Sequence, residues 1–514
     1  MPQVLDATPR IRIWLFKTIS RKTADGSAVV STRYAGKDPY IDLTKYLNNQ
    51  SSVSTTKSVR EAAGGFSISF ADAAQESFFS GEGDDSEIES IYGLVEPMDV
   101  IEIRMWSGLG AAPETPPIIM RGFVSAVTRT QGMGDDGRPQ RSVVVSGQDY
   151  GKIWQMFQVI YLAAYADSNA LLTNFGLWEL FGITAQNSMK SSDFVRKMVE
   201  KIINPYLKNM LPDHFLDVKR EIKTGDTISV KHGVIGVSYQ HSQGAIYDIM
   251  KTHGDVGVWN ELYTEDREDG VHCMYRSTPA MHLTRSDGGQ ADLIMDDAVP
   301  PEFVEILDSH IQNITVSRSD ANVANFFWVQ APMADMLGEM QRKLASIPQN
   351  DGKVRLKDYA NNDAKYYGLR PMYATTQQAD DAIKTLTTGL PEKDQLKREA
   401  QFEDWVDKRR RQMMALNKDN VVFERGTLRC KGGLTREDGK TIIKAGDYAR
   451  IKMGKLTAVA YAVSVSHEYF PFRSYTTTVI FERGTGFVER IQMDAGSASP
   501  WLAEQATRSG STSI

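Results

Sequence analysis

Two widely separated stretches of this chain run through the same order of short alternating strands, and that repetition constrains the fold more than any other feature. The late stretch, Ala445 to Gly486, reads AGDYARIKM, then AVAYAVSVSHEYF, then, past Pro471, SYTTTVIFERGTGF. Each piece alternates or concentrates β-branched and aromatic residues and is bounded by Gly, Pro or charged turns, the pattern of three consecutive antiparallel strands. The early stretch reads EPMDVIEIRM, IIMRGFVSAVTRTQG and PQRSVVVSGQDYG. Superposed, Asp99 falls on Asp447, Ile103 on Ile451, Arg104 on Lys452 and Met105 on Met453. In the second strand Phe123 falls on Tyr461 and Val127 on Val465; in the third, Val143 falls on Val479. A further strand precedes each copy, GGFSISF at Gly64 to Phe70 and RGTLRCKG at Arg425 to Gly432. The expectation is two divergent copies of one small β module. Alternating strands all look alike, so chance is the competing explanation at the level of letters.

At 514 residues the chain exceeds one core, and two to four domains are expected. Charged residues are 24% and hydrophobic ones 41%, ordinary for a folded protein in water. A formal charge of −6 argues against a broad basic footprint for gripping phosphates, and would suit a surface past which DNA slides. Cys273 and Cys430 fit no CxxC or Cys/His ligand spacing, and Cys430 alternates with Leu428, so buried thiols in a reducing compartment are expected. The start, MPQVLDATPRIRIW, lacks the basic and apolar regions of a signal peptide. The longest apolar run, Val159 to Ala166, is too short to cross a bilayer. Assembly in a cytosol is the expectation.

Along the chain, Arg10 to Ser20 alternates as a strand and Ser51 to Phe70 supplies two more. Gly81 to Glu89 is an acidic connector without calcium-loop spacing. Gly132 to Pro139 is a hairpin tip with Asp-Gly turn chemistry. Helical spacing marks Asp149 to Tyr165, Asn169 to Phe181 and Ser191 to Leu207, the last with Phe194, Met198, Ile202 and Pro205 on one face and Ser192-Asp193 as N-cap. From Thr227 to His282 strands return around one helix, Ser242 to His253, and VGVWNELYTEDREDGVHCMYRSTP reads as a hairpin. Ile311 to Ala331 gives two strands about an Asp-Ala-Asn turn. Gln377 to Leu416 is mostly helical, with Phe402, Trp405, Val406, Arg409, Met413 and Leu416 at helical spacing and Arg409 to Arg411 as a solvated or partner-facing helix end. The tail from Ala495 is rich in Ser, Gly and Ala.

Signatures of chemistry are missing from the sequence. It holds no GxSxG, Walker loop, HExxH or strand-to-helix GxGxxG, and Gly132-Met133-Gly134 sits in a hairpin. The histidines are scattered: His232 and His241 flank one strand, and His272 adjoins Cys273, where neighbours point to opposite faces. The carboxylate pairs Glu96 with Asp99, and Glu265 with Asp266, read as solvent-facing turns. No catalytic, cofactor-binding or metal-ligating residue is singled out, and no cofactor is expected.

The pattern resembles the baseplate hub proteins of contractile phage tails, similar to the hub that carries the central spike in T4-like phages. Four features carry the likeness: RGFVSAVTRT, a turn, then RSVVVSGQDYGKIW; AIYDIMKTHGDVGVWNELY with GVHCMYRSTP; AGDYARIKM; and VSVSHEYFPFRSYTTTVIFERGTG. The resemblance implies an α+β, mainly β fold with two tail-tube-like β-barrel domains joined by helical and mixed α/β insertions. Residues 1–148 would form the N-terminal part of the first barrel, 149–226 a helical insertion and 227–310 a middle α+β domain. Residues 311–376 would add strands to the barrels plus a connector, 377–418 a helical segment, 419–490 the second barrel and 491–514 a flexible tail. It also implies a homotrimer whose six barrels match a six-fold tail tube above and a three-fold central spike below, with tape-measure or wedge proteins outside and DNA passing through unbound. The alternatives are the hub of a non-contractile tail tip or type VI-like injection machine, and a tail-associated cell-wall-degrading enzyme.

Overall fold

The computed structural model describes residues 10–18, 40–72, 90–107, 115–133, 139–159, 188–211, 217–230, 234–236, 244–278, 303–330, 345–346, 364–379, 392–417, 420–421, 423–434, 442–454 and 456–486. The acidic connector at 81–89, the helix at 169–181, the tail from 495, His232 and His241 lie outside them.

Alternating sequence becomes strand wherever one face finds a core. The early half contributes β1 (Arg10–Phe16), β2 (Ser52–Ser58), β3 (Gly65–Ala71), β4 (Val100–Trp106), β5 (Ile118–Met133) and β6 (Pro139–Asp149). A central hairpin follows, β7 (Asn260–Arg267) and β8 (Gly270–Ser277). Then come β9 (Phe303–Leu307), β10 (Ile311–Ser317), β11 (Phe326–Gln330) and β12 (Pro371–Thr375). The late half ends the series with β13 (Glu424–Lys431), β14 (Tyr448–Met453), β15 (Leu456–Phe470) and β16 (Ser474–Thr485).

The early and late strands, with the two-residue strand Ile41–Asp42 beside β1, form one 13-stranded sheet. Its early part runs β2-β3-β6-β5-β4-β1 and its late part β10-β13-β16-β15-β14-β9, the same order in the same chain direction except that β9 lies parallel to β14 where β1 is antiparallel to β4. The expected superposition holds in register: Val100 faces Phe123 across β4 and β5, and Tyr448 faces Tyr461 across β14 and β15. Each long strand bulges at the same place, between Val124 and Ala126 in β5 and between Ala462 and Ser464 in β15. The turn into β4 and the turn into β14 share one bonding pattern. Asp99 accepts from Glu96 N at 2.8 Å and Asp447 accepts from Lys444 N at 2.8 Å. Val124 N bonds Asp99 O at 2.8 Å, as Ala462 N bonds Asp447 O at 2.9 Å. One correction is needed in the third strand: Val465 faces Val479 and Val127 faces Val145, so Val145, not Val143, is the counterpart of Val479.

The two halves are not separate closed barrels: no closed barrel forms among the described residues. Instead β15 pairs with β2, Ser464 opposite Ser58 through Tyr469 opposite Val53, and one core runs beneath both halves from Ile13 to Phe481. The fold is mainly β, with one large antiparallel sheet.

Other elements depart from expectation for local reasons. Of the expected helix from Asp149 to Tyr165, the described residues are helical over α1 (Gly151–Met156), Gln158–Val159 is extended and pairs with Gly244–Ala245, and the stretch beyond Val159 lies outside the described residues. Helix α2 (Ser191–Met198) starts after Lys190, with no side-chain cap from Ser192 or Asp193. A π turn at Val199–Ile203 rotates the face beyond it, so Asn204 and Leu207 are buried and Pro205 is exposed. Helix α3 covers Ile246–His253, shorter than Ser242 to His253. The strands of 311–331 part company: β10 joins the large sheet, while β11 pairs with β12 in a small one. In the 377–416 region, Gln378–Ala379 is a strand and helix α4 runs Glu392–Asn417.

Candidate functional site

The junction where β15 meets β2 carries a dense polar network among the described residues, and the central hairpin clamps it from one side. Lys57, on β2, forms ion pairs with Asp149 at 3.0 Å and with Asp266 of β7. Thr264 Oγ1 donates to the same Asp149 carboxylate at 2.8 Å. Burial alone would lower the Lys57 pKa, but the two carboxylates outweigh it and hold the ammonium charged well above its ordinary range. From the late half, Lys444 Nζ donates to Asp266 O. Arg276 of β8 donates to Gly446 O and to Tyr461 Oη, both at 3.0 Å, and Tyr461 Oη donates to Glu261 at 2.7 Å. The hairpin therefore grips both halves at once.

A second buried cluster fixes the hairpin tip to the early half. Glu102 lies between Arg104 at 2.5 Å, Arg121 at 2.7 Å and Lys219 at 3.2 Å. Burial pushes its carboxyl up, yet Arg121, Arg104 and Lys219 together pull it down to about 2. Arg121 Nη1 donates to Arg267 O at 2.5 Å, and Arg104 pairs with Glu268 at 2.9 Å. A third cluster holds α4: Arg409 pairs with Asp255 at 3.0 Å and stacks its guanidinium over Trp259 and Trp405.

These contacts overturn three expectations from the letters. Glu265 and Asp266 lie in β7 and are buried, not in a solvent-facing turn; Asp99 is likewise buried, taking Lys17 at 2.6 Å. Arg409 and Arg410 are buried rather than solvated: Asp255, far away in the chain, supplies the counter-charge to Arg409, and Asp407, on the same helix, pairs with Arg410. Glu102, Arg121, Lys57, Asp149 and Arg276 escaped sequence reading altogether. The available signal was a charge set between apolar neighbours in a strand, as Glu102 is between Ile101 and Ile103.

Chemically, each of these charged groups contacts an opposite charge, and the junction around Lys57 leaves little space. The cavity bounded by Lys57, Glu265, Asp266, Lys444 and His467 measures ≈ 20 Å³, space for about one water. Both thiols, Cys273 and Cys430, are buried and pushed up to about 12 by burial, which leaves them protonated and unreactive. His272 bonds Asp269 at 2.9 Å while its neighbour Cys273 is buried on the opposite face. Among the described residues no three His, Cys, Asp or Glu side chains are placed to hold a metal.

Several strand edges of the sheet lack a partner among the described residues, the outer edge of β9 included, and two of them lie on β5 and β10. β5 pairs with β4 only over Ile118–Phe123; beyond the bulge that edge is open, and Ala126 and Thr128 to Met133 are exposed. β10 pairs with β13 and ends the sheet, with Ile311, Ile314 and Val316 half-buried on one face.

No family model matches the chain, and no curated protein does. Among solved structures, the chain is similar to a tail protein from Neisseria meningitidis MC58 (11% identity, 92% of this chain and 96% of that one, TM-score 0.42). It is similar to the 43 kDa tail protein of prophage MuSo2 from Shewanella oneidensis (9% identity, 92% and 98%, TM-score 0.42). A third similar chain is an Escherichia coli component of the type VI secretion system that is itself structurally similar to the T4 bacteriophage tail proteins gp27 and gp5 (8% identity, 87% and 77%, TM-score 0.35).

Proposed function

We propose that this protein is the structural hub of a phage tail baseplate, a homotrimeric adaptor between a six-fold tail tube and a three-fold central spike. The reading rests on one observation: a single chain carries the same strand order twice, in matching register down to the bulge and the entry turn. Three such chains present six similar β units to one neighbour and true three-fold symmetry to another, which a chain with one unit cannot do. In this reading the two units act as tube-type barrels completed within the assembly. The buried ion pairs fit a part whose work is to stay rigid. The net charge of −6 suits a lumen through which DNA leaves without being held. Tape-measure or wedge proteins would meet the outer helices, and the protein would reside in the virion tail after assembly in the bacterial cytoplasm. No chemical step is required of it.

The test is the mass of the purified protein in solution, alone and with tail tube protein. The expected species is three times the 57.4 kDa chain. Clearing of peptidoglycan in a zymogram, abolished by changing one acidic residue, would replace this reading with an enzymatic one.

A further inference from the structure

Two of the strand edges open among the described residues, those of β5 and β10, occupy the places that β15 and β2 fill in the internal seam. Inside the chain, β15 meets β2 just past its bulge, and this seam joins the late unit to the early one. The counterpart of β15 is β5, whose edge past the equivalent bulge is open. The counterpart of β2 is β10, since Val53 opposite Ile68 corresponds to Ile314 opposite Leu428, and β10 is the open end of the sheet. Each unit thus owns one donor edge and one acceptor edge, and the chain satisfies only one of the two seams they imply.

Resting on the adaptor reading, we infer that β10 of one copy of this chain adds to the free half of β5 of a second copy. The internal seam supplies the register. Ser464 opposite Ser58 becomes Ala126 opposite Ser319, and Ser466 opposite Thr56 becomes Thr128 opposite Ser317. His467 opposite Thr55 becomes Arg129 opposite Val316, and Tyr469 opposite Val53 becomes Gln131 opposite Ile314.

Side-chain chemistry carries across this transposition. Thr56 Oγ1 and Ser466 Oγ lie 3.0 Å apart in the internal seam, and the transposed pair is again two hydroxyls, Ser317 and Thr128. Lys57 maps to Arg318, keeping the cation, which stands 3.8 Å from Glu424. Burial points the same way. In the internal seam Val53 is 1% and Val465 2% exposed, whereas their counterparts Ile314 and Val127 are only partly covered at the margin of the same core. A strand with an open edge and half-covered β-branched residues is a template for another strand. Because each copy offers one edge of each kind, the contact is head-to-tail, and its repetition closes a ring or grows a fibre. Alternation of internal and intermolecular seams makes three copies a ring of six units.

The test is a disulfide at the hydroxyl pair, the double variant Thr128→Cys with Ser317→Cys in the full chain, oxidised mildly and run without reductant. The native thiols are buried and do not compete. The expected product is a covalent ladder ending at three chains, removed by reductant, in yield roughly tenfold over the slipped pair Thr130→Cys with Ser317→Cys. Mixing the two single variants should link two chains and no more. An assembled protein that forms no such bond, or that favours the slipped pair, overturns the edge assignment and leaves the adaptor reading standing. A protein that stays a single chain and does not cross-link at any concentration overturns both. Val316→Lys supplies the second arm: it should reduce the solution mass to one chain that still unfolds in a single cooperative transition. Wild-type assembly by that variant would also overturn the inference.

Discussion

At the scale of single residues, His467 shows how far this core resists charge. It sits in β15 opposite Thr55, its Nδ1 in contact with Tyr475 Oη at 3.0 Å and Thr477 Oγ1 at 3.1 Å. Burial lowers its pKa to about 3. In the unfolded chain the ring takes a proton near pH 6.5. Between those values the unfolded state binds the proton and the folded state refuses it, so stability falls as the pH falls through this window. At about pH 4.5 the loss from this residue alone amounts to ~2–3 kcal/mol. Glu102 acts in the same direction lower down: its depressed carboxyl stabilises the fold above the usual glutamate range and loses that effect as the pH drops toward about 2. The His467→Gln variant should flatten the pH dependence of chemical-denaturation stability between about pH 6.5 and 4 without removing the Glu102 contribution below it. A variant curve parallel to wild type over that range would show that the ring is not the group responsible.

At the scale of elements, the turns entering β4 and β14 show what could and could not be read from letters. The Asp99 and Asp447 match was legible, because a carboxylate that caps its own turn leaves few substitutes. The positions before them were not: Met98 adopts φ +74° where Gly446 has φ +94°, one conformation held by two very different residues. At Gly446 a Cβ would lie 2.2 Å from Tyr263 Oη and 2.8 Å from Arg276 Nη2, so the central hairpin enforces glycine there. We expect Gly446→Ala to cost about 2 kcal/mol or more, from the positive φ and the displaced Tyr263–Arg276 pair together; Met98→Ala, at the equivalent turn, should cost less. Urea unfolding of both variants measures the difference. The slip from Val143 to Val145 has a different cause. The hairpin between β5 and β6 is longer than its counterpart, and a two-residue shift leaves every side chain on the same face, so alternation is blind to it. The buried charges were hidden for a third reason. Glu265, Asp266 and Arg409 look solvent-directed beside their sequence neighbours, and their partners Lys444, Lys57 and Asp255 come from remote segments.

At the scale of the molecule, the seam between β2 and β15 means that neither half of the sheet is complete without the other. Hydrogen exchange should therefore find the amides of residues 52–58 and 464–469 opening together, although more than 400 positions separate Thr56 from Ser466. Residues 126–131 and 314–319 should exchange quickly in a single chain and slow down on assembly. Independent opening of the two internal segments would show that the halves are separate folding units.

One cross-strand pair bears on how such a chain can change over time. In the early half Phe66 of β3 lies across from Gly147 of β6; in the late half the partners are exchanged, with Gly426 of β13 across from Phe481 of β16. Each ring fills the space its facing glycine leaves empty. Copying one strand of either half over its twin would set two phenyl rings against each other, or two glycines across a void. The halves of this gene are thus locked out of patching one another strand by strand, and must drift as complementary parts.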